Sequence, residues 1–477
     1  MKLQCRKATG PRMKADKSFL RTMEVRLTKI INIVGMTVPF AVVWYIFYAD
    51  KLWVTFQMRG HWLVILLFLV LYSLIGRVYN AFSVSHEGKG EMIYSQFLSY
   101  FETDSLMYIA AWLLIRRLPQ LYPMLLVLAV QALFSLLWIL CVRRWYYRVF
   151  PPNKTVIVWS MRQELPSLID EYNLTGKYRV VASVSVEDCI ADLHVLDNSD
   201  TVFLAGIHSH DRNIIAKYCM MHGIRLMLIP RVGDLLLAGA KRSNMFHLLM
   251  LSVEPFTPSL EYMVLKRLGD LLLSLIGLIV TAPLLLVTAI CIKMEDGGPV
   301  FYTQRRLTKG GRVFMIYKFR SMRPDAEADG VARLSTGEND ERITRVGRVM
   351  RKFRIDELPQ LINVIKGDLS LVGPRAERPE IAAEYEKTLP EFSLRLQVKA
   401  GLTGFAQVSG KYNTSPYDKL LMDLMYIANA GVLEDIRILF LTLKVLFSAK
   451  STEGVAPGST TAMNASPSDS TEDGSAA

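Results

Sequence analysis

The sequence predicts a membrane protein with three parts. These are a four-helix transmembrane bundle, a Rossmann-like α/β module, and an α-rich C-terminal domain with a re-entrant membrane helix and a small β-hairpin. Two observations predict this organisation. The 477 residues are 51% hydrophobic, and long charge-free runs are concentrated in the first third of the chain. From about residue 153, short apolar strands alternate with helical stretches, which is typical of α/β folds.

The first 148 residues predict a basic arm followed by four membrane spans. Residues 1–29 carry nine Lys/Arg against two acids, which favours a cytoplasmic arm under the positive-inside rule. Four apolar stretches within 30–148 each approach the roughly 20 residues that cross a bilayer. The third is the weakest, because Glu102 and Asp104 lie inside it and must face other helices or an interface. The four stretches are 30–48, 61–79, 97–115 and 122–142.

Residues 149–255 predict the α/β module. The first expected strand leads into the sequence Val158-Trp-Ser-Met-Arg-Gln, which contains no glycine. A dinucleotide site needs a glycine-rich phosphate loop at this point, so a structural or regulatory role is favoured. The expected strands are 156–158, 179–184, 201–204 and 225–229, and the expected helices are 164–172 and 210–222.

Residues 262–294 predict a re-entrant membrane helix. The run 271–292 has no charge and contains Pro283, which removes a backbone hydrogen bond. Basic residues flank both ends, which favours placing both ends on the cytoplasmic face and predicts a helix–break–helix hairpin. An ordinary spanning helix with a proline kink is the alternative. The flanking basic residues are Lys266 and Arg267 before the run, and Lys293, Arg305, Arg306 and Lys309 after it.

The C-terminal domain is expected over residues 295–450. Residues 301–306 and 312–319 predict a β-hairpin around Lys309-Gly-Gly. Residues 433–447 are apolar but carry Arg437 and Lys444, which predicts an interfacial helix. The tail from 451 to 477 is rich in small and polar residues and is expected to be disordered.

Charge and cysteine content narrow the partners. The net charge of +12 favours anionic partners, and beside membrane spans these are lipid headgroups and phosphates. No nucleic-acid-binding signature occurs, so no nucleic-acid partner is expected. The five cysteines lie far apart without a CxxC motif, which argues against a zinc site or a disulfide framework and fits a reducing cytosolic face.

The chemistry is expected at Asp356 and Glu357. No histidine or cysteine follows residue 300, which leaves carboxylates, Lys, Tyr and Ser/Thr as reactive groups. The pair follows arginines spaced three apart and precedes Pro359, which suits the start of a helix, where anions are favoured. Two carboxylates beside guanidinium groups suit Mg²⁺-assisted phosphoryl chemistry, although a solvated helix with charge pairs is the alternative. The basic candidates are Arg345, Arg348, Arg351, Arg354, Lys318, Arg320 and Arg375.

Four motifs closely resemble the bacterial polyprenyl-phosphate hexose-1-phosphate transferases, over about residues 262–448. These enzymes begin exopolysaccharide, capsule or O-antigen assembly. Four spans and an α/β module in front are similar to the large form of the family. The motifs are Ile316-Tyr-Lys-Phe-Arg-Ser-Met322, Asp356-Glu-Leu-Pro-Gln-Leu-Ile-Asn-Val364, Gly367-Asp-Leu-Ser-Leu-Val-Gly-Pro-Arg375 and Gly401-Leu-Thr-Gly-Phe-Ala-Gln-Val-Ser409.

The resemblance implies a mechanism and partners. Asp356 would attack the phosphate of a UDP-sugar, releasing UMP, and undecaprenyl phosphate would then take the sugar phosphate. Glu357, with Asp356, would hold Mg²⁺, and Arg351 and Arg375 would bind phosphate. The catalytic domain would lie on the cytoplasmic face of the bacterial inner membrane, next to membrane lipid. A homodimer is a candidate assembly that no motif in the sequence supports.

Lys266 and Arg267 match the family's basic pair at the foot of the re-entrant helix. Three positions depart from the family pattern. Ala282 precedes Pro283 where many members have serine, Ala376 stands where proline is common, and Phe405-Ala406 replaces a common tryptophan.

Two other function classes remain open at this point. An ordinary nucleotide-sugar glycosyltransferase would often carry an Asp-x-Asp motif, and none occurs between residues 300 and 450. A non-enzymatic membrane scaffold is the second alternative, and the intact acid pair with its arginines argues against it.

Overall fold

A computed structural model describes residues 15–53, 58–84, 88–160, 166, 169, 174–245, 247–323, 342–410 and 414–446. The chain divides into two compact units, Met1–Ile229 and Pro230–Ala477, and each is described on its own. The tail from 451, the first 14 residues and most of the predicted helix 164–172 lie outside the described residues.

The first unit begins with four long helices. They are α1 (Ala15–Val43), α2 (Met58–Val78), α3 (Lys89–Ile115) and α4 (Tyr122–Val149), with a π-helical turn at Trp44–Tyr48 and a 3₁₀ turn at Ala49–Lys51 after α1. Their shared core is aromatic and aliphatic, and Phe40 stacks on Phe68 with ring centroids 4.5 Å apart. Large apolar side chains also cover the outside of the helices, as expected where the solvent is lipid.

Within the described part of the chain, four helical stretches are long and apolar enough to cross a membrane by length and composition: Val25–Lys51, Gly60–Val78, Tyr122–Val149 and Leu260–Asp296. The third predicted span, now α3, is helical but is not among them, so its status as an apolar span is not confirmed. Its acids face inward, since Tyr79 donates to Glu102 at 2.6 Å and Asp104 is 1% exposed.

The α/β part of the first unit contains a four-stranded, all-parallel sheet with strand order β2-β1-β3-β4. The predicted strands and the second predicted helix are confirmed, and a Rossmann-like relationship stays a prediction. The elements are β1 (Asn153–Trp159), β2 (Tyr178–Ser185), α5 (Val186–Ala191), a 3₁₀ turn (Leu193–Leu196), β3 (Thr201–Ala205), α6 (Ser209–Met221) and β4 (Arg225–Leu228).

The second unit begins earlier than the predicted domain boundary at residue 255. It starts with α7 (Val232–Ala238) and a hairpin of β5 (Lys241–Met245) and β6 (Leu248–Ser252). Leu235 of α7 is buried in the main core of this unit, which explains why residues 230–255 group with the C-terminal part.

The long helix α8 (Leu260–Asp296) is continuous through Pro283. The predicted helix–break–helix hairpin is therefore not confirmed, because the helix has no interruption at the proline. Pro283 has no N–H to donate to the Ile279 carbonyl, four residues earlier. Thr281 Oγ1 bonds a different carbonyl, that of Gly277, at 2.7 Å. Whether α8 crosses a bilayer or returns stays a prediction.

The remaining elements pack around a shared apolar core. The predicted hairpin is confirmed as β7 (Phe301–Leu307) and β8 (Val313–Phe319), joined through the 3₁₀ turn Lys309–Gly311. The predicted interfacial helix forms as α14, and its membrane association stays a prediction. The elements after the hairpin are α9 (Arg345–Lys352), a 3₁₀ turn (Ile355–Glu357), α10 (Gln360–Lys366), β9 (Ser370–Val372), α11 (Pro379–Thr388), a 3₁₀ segment (Pro390–Gln397), β10 (Gly401–Thr403), α12 (Phe405–Ser409), α13 (Pro416–Ala428) and α14 (Val432–Leu446).

Candidate active site

Asp356 and Glu357 lie in the 3₁₀ turn Ile355–Glu357, between α9 and α10. The chain reaches this turn through Arg354, whose φ of 53° is left-handed and uncommon for a residue with a side chain. This residue ends the path of α9 and turns the chain toward α10, with Pro359 just before Gln360 as expected for a helix start. Arg354 is therefore not on one helical face with Arg345, Arg348 and Arg351.

Three cations surround Glu357. Lys318 Nζ donates to Glu357 Oε1 at 2.9 Å, and an Arg375 guanidinium nitrogen lies 3.7 Å from the same oxygen. A nitrogen of Arg354 lies 3.6 Å from Oε2. The Lys318 and Glu357 side chains are only 18% and 16% exposed, so this contact is a largely buried ion pair. Lys318, Arg354 and Arg375, all predicted from sequence, are thus brought together around one carboxylate.

The two adjacent carboxyls have opposite electrostatic settings. Burial alone would raise the pKa of Glu357, but Lys318, Arg375 and Arg354 outweigh it and hold that pKa far below its usual range. Burial, and then the charge of Glu357, raises the pKa of Asp356, although Lys318 and Arg351 oppose the rise. Glu357 is therefore a fixed anion, and Asp356 is the more basic carboxylate of the pair.

Two other predicted phosphate ligands have different partners in the structure. Arg351 Nε donates to Ser321 Oγ at 2.9 Å, which ties α9 to the end of the hairpin segment. Arg320 is 7% exposed and, among the described residues, pairs with Asp296 at the end of α8 rather than with the acid pair. Gly298 makes room for this guanidinium, since a Cβ there would overlap it.

The loop Gly373-Pro374-Arg375 presents Arg375 to Glu357. The Arg375 side chain remains 43% exposed, so it can also face a ligand. The backbone of Arg375 is fixed by Arg395, which donates to the Arg375 carbonyl at 3.0 Å. Arg395 is itself paired with buried Asp423 at 2.7 Å. Arg306 donates to the next carbonyl, that of Ala376, at 2.9 Å.

Lys266 and Arg267 anchor α8 to the same unit. Lys266 Nζ contacts Asp435 at 2.8 Å and the Val372 carbonyl at 3.0 Å, directly before the Arg375 loop. Arg267 donates to the carbonyls of Val364 and Ile365, in the last turn of α10, at 2.7 and 2.8 Å. The pair predicted at the foot of a membrane helix therefore holds the elements that carry the acid pair and Arg375.

Sequence reasoning missed three supporting residues. Buried Asp270 of α8 accepts from Ser370 Oγ at 2.8 Å and from the Leu371 amide at 3.0 Å. Buried Asn363 joins α10 to β8. Arg395 supports the Arg375 loop. Polar residues within apolar helical positions were the available signal, since such groups are retained in cores when they are hydrogen-bonded.

The acid pair fits the set of ligands that a protein contributes to a magnesium site. Among the described residues there is no group of three or more His, Cys, Asp or Glu side chains that could hold a metal. Protein magnesium sites next to nucleotides commonly use one or two carboxylates and take further oxygens from substrate phosphates. Asp356 and Glu357 supply two such carboxylates, and the low pKa of Glu357 keeps one of them ionised.

Comparison with known proteins identifies the family. The sequence model of the bacterial sugar transferase family matches residues 261–449. A UDP-N-acetylgalactosamine-undecaprenyl-phosphate N-acetylgalactosaminephosphotransferase of Aeromonas hydrophila is 38% identical over 233 residues, which are 48% of this chain. The chain spans about half, 54%, of that relative's length.

Two further relatives are covered over more of their length. The exopolysaccharide production protein PSS of Rhizobium leguminosarum bv. phaseoli is 41% identical over 38% of this chain and 94% of its own length. A UDP-glucose:undecaprenyl-phosphate glucose-1-phosphate transferase of Caulobacter vibrioides is 38% identical over 38% of this chain and 70% of its own. The chain belongs to the bacterial sugar transferase family.

Proposed function

We propose that this protein transfers a hexose-1-phosphate from a UDP-sugar to undecaprenyl phosphate, with Asp356 as the nucleophile. The names of two relatives support both substrates, because each names a UDP-sugar and undecaprenyl phosphate. Such a transfer initiates the assembly of an exopolysaccharide, capsule or O-antigen.

The contrast between the two carboxyls carries the proposal. A nucleophile must be ionised yet keep its basicity, and Asp356 has the raised pKa of the pair. The charge of Glu357 is neutralised by Lys318 and two arginines, so Glu357 suits the binding of a metal ion rather than attack on phosphorus. A solvated helix with charge pairs would not bury this ion pair to less than one-fifth exposure.

The proposed reaction has two displacements at one phosphorus. An Asp356 carboxylate oxygen forms a bond to the sugar-linked phosphorus, and the bond to the bridging oxygen breaks, so UMP leaves with that electron pair. An oxygen of undecaprenyl phosphate then attacks the aspartyl phosphate. The carboxylate is released and a diphosphate-linked sugar forms. No proton donor is required for a phosphate leaving group, which fits a domain without histidine beyond residue 300.

The surrounding residues bind and neutralise phosphate charge. Arg375 and Arg354 lie beside the acid pair with half-exposed side chains, and guanidinium groups match phosphate oxygens bidentately. Bound Mg²⁺ would be held by Glu357 and Asp356 and would supply Lewis-acid stabilisation of the phosphate oxygens. Arg351 is proposed as a further phosphate-binding residue, because its charge opposes the rise in the pKa of Asp356.

The lipid substrate favours a site at a membrane surface. We infer that α8 enters the cytoplasmic leaflet of the inner membrane and bends at Pro283, so that both of its ends lie on the cytoplasmic side. Both of its ends contact the C-terminal unit, through Lys266 and Arg267 at one end and Asp296 at the other. A homodimer and a regulatory role for the α/β part remain further proposals.

A donor panel tests the function. The full chain, in nanodiscs with undecaprenyl phosphate and Mg²⁺, is incubated with UDP-glucose, UDP-galactose and UDP-N-acetylhexosamines. We expect UMP release with at least one donor, and Asp356→Asn and Glu357→Gln to abolish it while insertion and folding are retained. Release of UDP instead would indicate an ordinary glycosyltransferase, and inert wild-type protein with every donor would indicate a scaffold.

A further inference from the structure

The inference concerns Asn363, a side chain with no solvent exposure in the middle of α10. Its Oδ1 accepts a hydrogen bond from the Tyr317 amide at 2.9 Å. Its Nδ2 donates to the Met315 carbonyl at 2.8 Å. One side-chain amide therefore satisfies two backbone groups of β8.

These two backbone groups lie on the free edge of the hairpin. In an antiparallel ladder, alternate residues of a strand direct their N–H and C=O groups to the same side. Strand β8 is paired on one side with β7, and in the described residues this sheet has two strands only. The amide of Asn363 takes the place that a third strand would otherwise occupy.

The same residue also fixes α10. The Asn363 carbonyl accepts from the amides of Gly367 and Asp368 at 3.0 Å each, where the helix ends at a left-handed glycine. The side chain holds the strand and the main chain holds the helix end. Asn363 therefore links β8 to α10 through backbone groups of both elements, beside the shared apolar core and the hydrogen bond from Lys366 Nζ to the Tyr317 hydroxyl at 2.8 Å.

The largely buried ion pair lies next to these two elements. Lys318 directly follows Tyr317 on β8, and Glu357 lies in the turn that leads into α10, six residues before Asn363. We propose that Asn363 is a positioning residue that sets Lys318 against Glu357 and so orients Asp356 for attack. This role rests on the proposed function and adds to it a residue that does not touch substrate.

Only an amide of this length meets both requirements. An aspartate has the same shape but, when ionised, cannot donate to the Met315 carbonyl, and an alanine can neither donate nor accept. Either change leaves at least one backbone group buried and unpaired, which displaces the strand rather than leaving it in place. A misplacement of about 1 Å at a reacting group lowers the rate by about 100-fold.

The test separates positioning from stability. Asn363→Ala and the same-sized Asn363→Asp are compared with Leu424→Ala, a core truncation at a residue that is 3% exposed in the same unit. Full-length variants in nanodiscs are assayed well below their melting temperatures for kcat and for KM of the UDP-sugar. We expect kcat of both Asn363 variants to fall about 100-fold with KM within a few-fold, and Leu424→Ala to keep kcat within a few-fold.

The outcomes are distinguishable. Active wild-type protein whose Asn363 variants retain kcat within a few-fold of the Leu424 variant overturns the positioning role alone. A loss confined to KM also overturns it. Wild-type protein without UMP release overturns the proposed function, and this role with it. If Asn363→Ala does not fold, the same-sized aspartate variant gives the decision.

Discussion

Replacing Lys318 by methionine should destabilise the C-terminal unit far more than a matched surface change. Methionine keeps most of the side-chain length and volume, so the change removes mainly the ammonium group. The ammonium lies 2.9 Å from Glu357 Oε1, and both side chains are less than one-fifth exposed. The variant therefore leaves a buried carboxylate with two of its three cations.

The distances set the magnitude. At an effective dielectric constant of about 20, a pair 2.9 Å apart attracts by about 6 kcal/mol. The arginines at 3.6 and 3.7 Å attract by about 4.5 kcal/mol each before desolvation costs. Breaking a buried pair costs about 3–5 kcal/mol, and the remaining arginines favour the lower end, about 3 kcal/mol. For a unit of this size, the melting temperature should fall by about 6–12 °C.

The control is Lys387→Met. Lys387 pairs with Glu384 at 2.7 Å, but these side chains are 70% and 50% exposed on one helix. Such a pair contributes about 0.3–0.5 kcal/mol, or about 1–2 °C. Thermal unfolding of both variants in nanodiscs, followed by near-UV circular dichroism at pH 7, gives the comparison.

The pH dependence gives a second readout of the same pair. The folded pKa of Glu357 is depressed, so its contribution is present above the unfolded value of about 4.3 and is lost as the pH falls below it. The gap between wild type and Lys318→Met should therefore narrow below about pH 4. Equal, small shifts for Lys318→Met and Lys387→Met at pH 7 would refute a buried pair at this site.

Three more outcomes are expected. The fall of kcat on the acid side should lie above pH 4, because burial and the charge of Glu357 raise the pKa of Asp356 and the protonated carboxyl cannot attack. A fall that begins only at or below about pH 4 would contradict a raised pKa of Asp356. Gly298→Ala should lower the melting temperature by several degrees, since its Cβ overlaps the Arg320 guanidinium, whereas Gly269→Ala, with open space at its Cβ, should not. Chelation of Mg²⁺ should abolish UMP release, and added Mg²⁺ should restore it; unchanged turnover in chelator would exclude a metal role.

Elements with strong local patterns were predictable from sequence. The parallel strands, the hairpin at 301–319 and the helix at 433–447 follow from apolar runs, alternation and turn residues, and the structure confirms them as elements. The start of α10 after Asp356 and Glu357 followed from Pro359, whose fixed φ suits a first helical turn.

Features that depend on distant contacts were not predictable. Pro283 predicted a break, but α8 continues as one helix. The arginine series predicted one helical face, but the left-handed Arg354 takes the last member off the helix and brings it to Glu357. The spacing of residues in a sequence cannot show that a single residue, here Arg354, adopts a left-handed backbone conformation.

The partners of basic residues were the least predictable part of the site. Lys318, Arg320 and Arg375 all read as candidate phosphate ligands, yet Arg320 is paired with Asp296 from another element. Lys266 and Arg267 were predicted as the basic pair at the foot of a membrane helix, and the structure adds that they bind carbonyl and carboxylate groups of the same unit. Charge predicts an anionic partner, and only the fold determines which one.

Mass spectrometry of the protein trapped with its donor tests the central claim most directly. The full chain is incubated with Mg²⁺ and the active UDP-sugar in the absence of undecaprenyl phosphate, and then digested under conditions that preserve acyl phosphates. The account predicts one hexose-phosphate added to the peptide that contains Asp356, and its discharge when undecaprenyl phosphate is supplied. An adduct on a different residue, or UMP release by Asp356→Asn at the wild-type rate, would contradict it.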